Sequence, residues 1–208
     1  MTAARTGGPH AQPWRFDSGR ICLDLVATAQ ETDRRPGGRE PLADPGRLAS
    51  WLTGAGLVPA GTRPAGVDSG WVAAFVELRD CVDRLVRMRS EDRDLEVVNS
   101  RAQSAPPSIR AVRDDEGRLV RALGAAPGCA ALLAVVARDA IDLLTDPVAR
   151  SRLRQCEGDN CRRVYLDTSR GRRRRWCSSE VCGNRERVAR HRRRTSAKDL
   201  EVSSAGIE

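Results

Sequence analysis

Four cysteines stand in two short-spaced pairs near the end of the chain: Cys156-x4-Cys161 and, fifteen residues on, Cys177-x4-Cys182. Two such pairs at this separation are a zinc signature, although a spacing of two residues within a pair is more usual. Zinc takes four tetrahedral ligands at about 2.3 Å from sulfur, and two turns on separate strands supply them. The intervening "RRVYLDTSRGRRRRW" predicts strands at 164–166 and 173–176, paired around 167–171. That pairing would bring the cysteines together, with Tyr165 and Trp176 as a small apolar core beside them. A segment of about 40 residues with so few aromatics cannot fold on burial alone, so the metal would supply folding free energy. Cys156, Cys161, Cys177 and Cys182 are therefore the expected ligands of one structural Zn2+. His191 is a rival, but the tetrahedral set is full without it. Cys22, Cys81 and Cys129 stand alone in apolar patterns and read as small buried hydrophobes.

Charge is concentrated in the same region. Residues 150–194 hold sixteen arginines against five acids, an excess larger than the +8 of the whole chain, so the remainder is net negative. Nearly every basic residue is Arg, with Lys198 the only lysine; this reads as a coding bias, so Arg over Lys by itself says little about bidentate recognition. After Cys182, "GNRERVARHRRR" has helix formers and no proline, with Asn184 as the expected N-cap. Like charges at helical spacing repel, so such a helix suits a polyanion better than solvent. Arg185, Arg187, Arg190, Arg192, Arg193 and Arg194 on the helix, with Arg172, Arg173, Arg174 and Arg175 ahead of it, are the candidate nucleic-acid contacts. Arg185, Arg187 and Arg190, nearest the metal end, are the choice for positioning. Double-stranded DNA ranks first, because single-strand binders stack bases on aromatic platforms and only Tyr165 and Trp176 are available.

The first 148 residues read as a helix-rich α+β domain. Residues 1–14 look like a flexible leader without the apolar stretch of a signal peptide. Alternating Ile21, Leu23 and Leu25 predict a short strand. Asp44-Pro45 predicts a helix start and Gly54 its stop, Asp68 or Ser69 opens a second helix, and Ser90 caps a third. Two β-compatible runs flank "DDEG" as a hairpin, and "PGCAALLAVVARDAIDLLT" is a largely buried helix. Asp24 and Arg79 are polar groups in apolar elements, expected to pair; they are also the candidates for a pocket facing a small-molecule effector, with ordinary surface exposure as the alternative. The fold class expected is α+β, with a short strand and hairpin in residues 15–148. A four-cysteine zinc finger of hairpin and helix follows at 149–194, then a disordered tail at 195–208.

"CEGDNCRRVYLDTSRG" followed by "RRWCSSEVCGNRERVARHRRR" resembles the CGNR zinc-finger family, named for the tetrad at 182–185. The N-terminal part resembles the ABATE domain that precedes this finger, through "GRICLDLVAT" and "LRDCVDRL". The resemblance implies a bacterial transcription regulator in which a DNA-binding finger is attached to a sensing or adaptor domain. One departure is Ala27, where the family strand usually carries Asn, and this puts ligand binding in question.

Three functional classes follow. The first is a zinc-dependent DNA-binding regulator, cytoplasmic and nucleoid-associated. The second is a finger docked on an acidic partner such as the transcription machinery. The third is a thiol redox switch, since thiolates among arginines are acidified and oxidisable. No enzyme is expected, because four cysteines close the coordination shell that catalytic zinc keeps open and no nucleophile–base spacing appears. No apolar run reaches the length of a membrane helix.

Overall fold

The computed structural model describes residues 14–29, 40–59, 64 and 66–204. Most of the expected leader and His10 lie outside these residues. The apolar segment after Gly19 is helix α1 (Ile21–Ala29), not a strand. Alternation marks a strand only where polar residues keep intervening; here apolar Cys22 fills one gap, and Val26 and Ala27 follow Leu25 directly. Cys22 through Thr28 are all buried, polar Asp24 and Thr28 included, as expected of a mostly apolar helix enclosed by the fold.

Local chemistry sets the helices packed around it. Asp44 caps α2 (Pro45–Gly54), accepting the Arg47 amide at 2.9 Å, with Pro45 in the first turn where its missing N–H costs nothing. Asp68 caps α3 (Ser69–Val86) through the Trp71 amide at 2.9 Å. The cap of α4 (Asp92–Ala102) is Glu91, one residue past the expected Ser90, and the Asp94 carboxylate accepts the Glu91 amide at 3.1 Å. Strands β1 (Ile109–Arg113) and β2 (Leu119–Leu123) form the expected antiparallel hairpin, with Ala111 opposite Arg121. Helix α5 (Cys129–Thr145) buries Leu132, Leu133, Val136 and Leu143. Helices α1, α3 and α5 pack on one another, and Trp51 meets Phe75 edge-on with ring centroids 6.2 Å apart in the same core.

After the short α6 (Pro147–Ser151), β3 (Leu153–Gln155) pairs antiparallel with β4 (Val164–Leu166), Leu153 facing Leu166. The expected partner of β4 was 173–176, and this is corrected. The first x4 loop is itself the hairpin connection: the Cys156 amide donates to the Arg163 carbonyl at 2.8 Å and the Cys161 amide to that of Gly158 at 3.0 Å. Arg173–Trp176 instead run alongside as irregular chain, where the Glu157 amide donates to the Arg175 carbonyl at 3.0 Å.

Strand β4 divides two cores. Side chains alternate across a strand, so Val164 and Leu166 enter the helical core while Tyr165 enters a second cluster with the four cysteines, flanked by Trp176 and Val181. The finger is therefore built onto the helical domain. A π-turn, Ser179–Gly183, leads into α7 (Asn184–Ser204), which carries helix ten residues into the stretch expected to be a disordered tail. Residues 205–208 of that tail lie outside the described residues.

Candidate metal centre and basic surface

The two cysteine pairs converge from different local structures. Cys156 and Cys161 flank the β3–β4 connection; Cys177 precedes the π-turn and Cys182 sits within it. Ser178, rather than Asn184, caps this turn, its hydroxyl accepting the Val181 amide at 3.2 Å, while Asn184 is already helical. The wide turn suits the x4 spacing, since it seats Cys182 beside Cys177: their sulfurs are 3.6 Å apart. Cys161 and Cys177 are 3.8 Å apart, and all four sulfurs lie within 4.8 Å of one another. Four ligands at about 2.3 Å around a tetrahedral ion stand about 3.8 Å apart. The cluster fits one structural zinc ion, and all four side chains are buried.

The sulfurs' mutual proximity spreads their acidities. Hydrogen bonds from Cys156 and Cys177 hold Cys161 well below the ordinary thiol range. Its neighbours Cys156 and Cys161 push Cys177 far above that range, and burial raises Cys182 to about 11. A divalent cation would relieve this conflict by ligating all four sulfurs as thiolates at once. Close approach also explains Gly158, where an added Cβ would stand 3.2 Å from Cys182 Cβ and 3.5 Å from Cys156 Sγ.

The ten candidate arginines separate by what they touch. Arg174 is a strut: its guanidinium lies over the Tyr165 ring, 4.6 Å from the centroid, and donates to the carbonyls of Trp176 at 2.9 Å and of Cys177. Its own carbonyl accepts the Tyr165 hydroxyl at 2.5 Å. Arg175 pairs with Glu157 at 2.5 Å, Arg193 pairs with Glu186 at 3.0 Å, and Arg187 donates to the Ser179 carbonyl at 3.3 Å. Arg172, Arg173, Arg185, Arg190 and Arg192 are exposed. The side chain of Arg194 lies outside the described residues. His191 is exposed on α7 and does not belong to the four-sulfur cluster.

Asp24 and Arg79 do not pair. The Arg79 guanidinium forks onto Glu40 at 2.6 and 2.9 Å and reaches Asp80 at 2.9 Å. Asp24 accepts the Ser18 amide at 3.0 Å, and burial raises its carboxyl to about 6. Ala27 is buried in α1.

Sequence reasoning missed Arg15 and Asp17. Arg15 Nη2 stands 3.8 Å from Cys177 Sγ and also pairs with Asp17. Asp17 Oδ1 accepts from buried Arg163 at 2.7 Å. With Arg15 and Cys177 162 positions apart in the chain, no local pattern signals the contact.

Residues 19–147 match the family model ABATE, described as "putative stress-induced transcription regulator", and residues 152–195 match the CGNR zinc finger. Neither description is of an enzyme. Comparison with curated proteins finds no match. Among the described residues, no helix is long and apolar enough to cross a membrane.

Proposed function

The chain belongs to the ABATE family and carries a CGNR zinc finger at residues 152–195, and from that premise we propose that it is a zinc-dependent, DNA-binding transcription regulator. The observation that carries the reading is the division of the arginines. Arg174 is spent on the finger's interior, whereas Arg172 and Arg173 before the second cysteine pair, and Arg185, Arg190 and Arg192 on α7 after it, are exposed. Zinc holds the π-turn, the π-turn sets the start of α7, and the exposed guanidiniums neutralise phosphates on a DNA duplex. Arg187 and Arg193, tethered at the surface, can exchange their present partners for phosphate, and so can Arg175. The helical domain acts as the sensing or adapting part, and cytoplasmic, nucleoid-associated placement follows from the DNA partner.

Burial of all four cysteine side chains disfavours a fast thiol switch, which needs an accessible thiolate. Docking on an acidic protein surface uses the same arginines and is the alternative that the test separates. Fluorescence anisotropy of the zinc-loaded protein on a duplex, with and without a zinc chelator, tests the proposal. Binding that needs the metal is the expected result. No binding at low salt would overturn it and favour a protein partner.

A further inference from the structure

A zinc ion with four cysteine thiolates carries a net charge of minus two, and burying such a group calls for donors aimed at its sulfurs. The finger's own backbone supplies one: the Cys177 amide donates to Cys156 Sγ at 3.3 Å. A cationic donor arrives from the other end of the chain, since Arg15 Nη2 reaches Cys177 Sγ at 3.8 Å. Arg15 precedes both matched segments, which begin at residues 19 and 152.

The strap that carries it is fastened to the finger along its length. Arg163 Nη1 holds the Asp17 carboxylate at 2.7 Å, and its Nη2 donates to the Arg15 carbonyl at 3.3 Å. Arg174 Nη2 donates to the Asp17 carbonyl at 3.5 Å, and the Leu166 amide donates to the Ser18 carbonyl at 2.8 Å. Gly19, at φ +86°, lets the chain turn into α1, and an added Cβ there would stand 3.2 Å from Leu166 Cβ. The Arg163 side chain is only 4% exposed, so its pair with Asp17 is a built feature.

We infer that Arg15 is an outer-sphere partner of the zinc site, completing it with a charged N–H···S bond to Cys177. The finger defined by residues 152–195 is then an incomplete metal site. Asp17 and Arg163 are positioning residues, holding the strap so that the guanidinium faces the sulfur. A charged donor at a thiolate offsets the negative charge of the metal–sulfur core and strengthens retention of the ion. Loss of such outer partners commonly costs 10–100-fold in metal affinity.

The test is zinc competition against a chromophoric chelator in the full-length protein, with Arg15→Ala, Arg15→Lys and Arg170→Ala compared with the parent. Arg170 is exposed, and its replacement by alanine removes one positive charge without touching the strap. Arg15→Ala is expected to weaken zinc roughly tenfold or more. Arg15→Lys keeps a point charge without the fork and should lose less, and Arg170→Ala should stay close to the parent. A merely structural role is separated by cobalt substitution at saturating metal. The thiolate-to-cobalt charge-transfer band should move in Arg15→Ala and stay in Arg170→Ala. Should Arg15→Ala fail to fold, Arg15→Gln carries both measurements. Parent-like zinc affinity, or an unmoved charge-transfer band, in the folded Arg15 variant would overturn the inference.

Discussion

Tyr165 and Leu166 are neighbours on one strand, yet Tyr165 packs against the four cysteines and Leu166 against the helical core. Neither core closes without this strand, so metal loss and helix unfolding should be coupled. Thermal unfolding followed by far-UV circular dichroism and by zinc release is expected to give coincident transitions. Leu166→Ala should destabilise by about 2–5 kcal/mol and shift both together. Two well-separated transitions would show that the finger folds independently.

The end of α3 carries a correctable strain. Met88 sits at φ +56° just past the helix and is 80% exposed. Its amide donates to the Leu85 carbonyl and that of Arg89 to the Arg84 carbonyl, a Schellman closure that favours glycine. Met88→Gly should stabilise by about 1 kcal/mol, read from denaturant midpoints. A loss of stability would show that the freedom glycine adds to the unfolded chain outweighs the relief at this positive φ.

Asp24 gives a pH dependence with a definite sign. Burial raises its carboxyl from 3.8 to about 6, with the Ser18 amide and Arg163 opposing and Asp17 reinforcing the shift. The folded state therefore binds the proton more tightly than the unfolded chain. Stability is lost as pH climbs from about 4 to about 6 and is level above that, a difference on the order of 3 kcal/mol. Asp24→Asn keeps an oxygen for the Ser18 amide and removes the charge. The variant should exceed the parent in urea stability at pH 7.5, with the gap narrowing by pH 5. A gap that does not narrow would exclude Asp24 as its source.

Adjacent arginines should behave differently. Arg173→Ala should keep zinc and the helical signal while weakening DNA and flattening its salt slope by about 0.9. Arg174→Ala removes the donor to the Trp176 and Cys177 carbonyls and the cover over Tyr165, so it should weaken zinc retention. Equal effects of the two on zinc would contradict the division between strut and contact.

That contrast also marks what a sequence can carry. The four cysteines were legible because thiolate spacing states a ligand set directly, and Asp44 and Asp68 because caps act over three residues. In a run of four arginines the one that turns inward is indistinguishable from its neighbours. Strand β3, only Leu153–Gln155, is too short for any period, so β4 was assigned the wrong partner. Helix α1 reads as a strand in the sequence because a segment buried on all sides has no polar face to reveal its repeat. Arg15 reaches Cys177 through the tertiary fold alone.

The central claim is that zinc organises exposed arginines into a phosphate-binding surface. It is tested most directly by the affinity of the zinc-loaded protein for duplex DNA across a salt series. With five arginines on phosphates, log K should fall against log salt with a slope of roughly −4 to −5, and chelating the metal should abolish binding. A flat salt response, or metal-independent binding, would contradict the account.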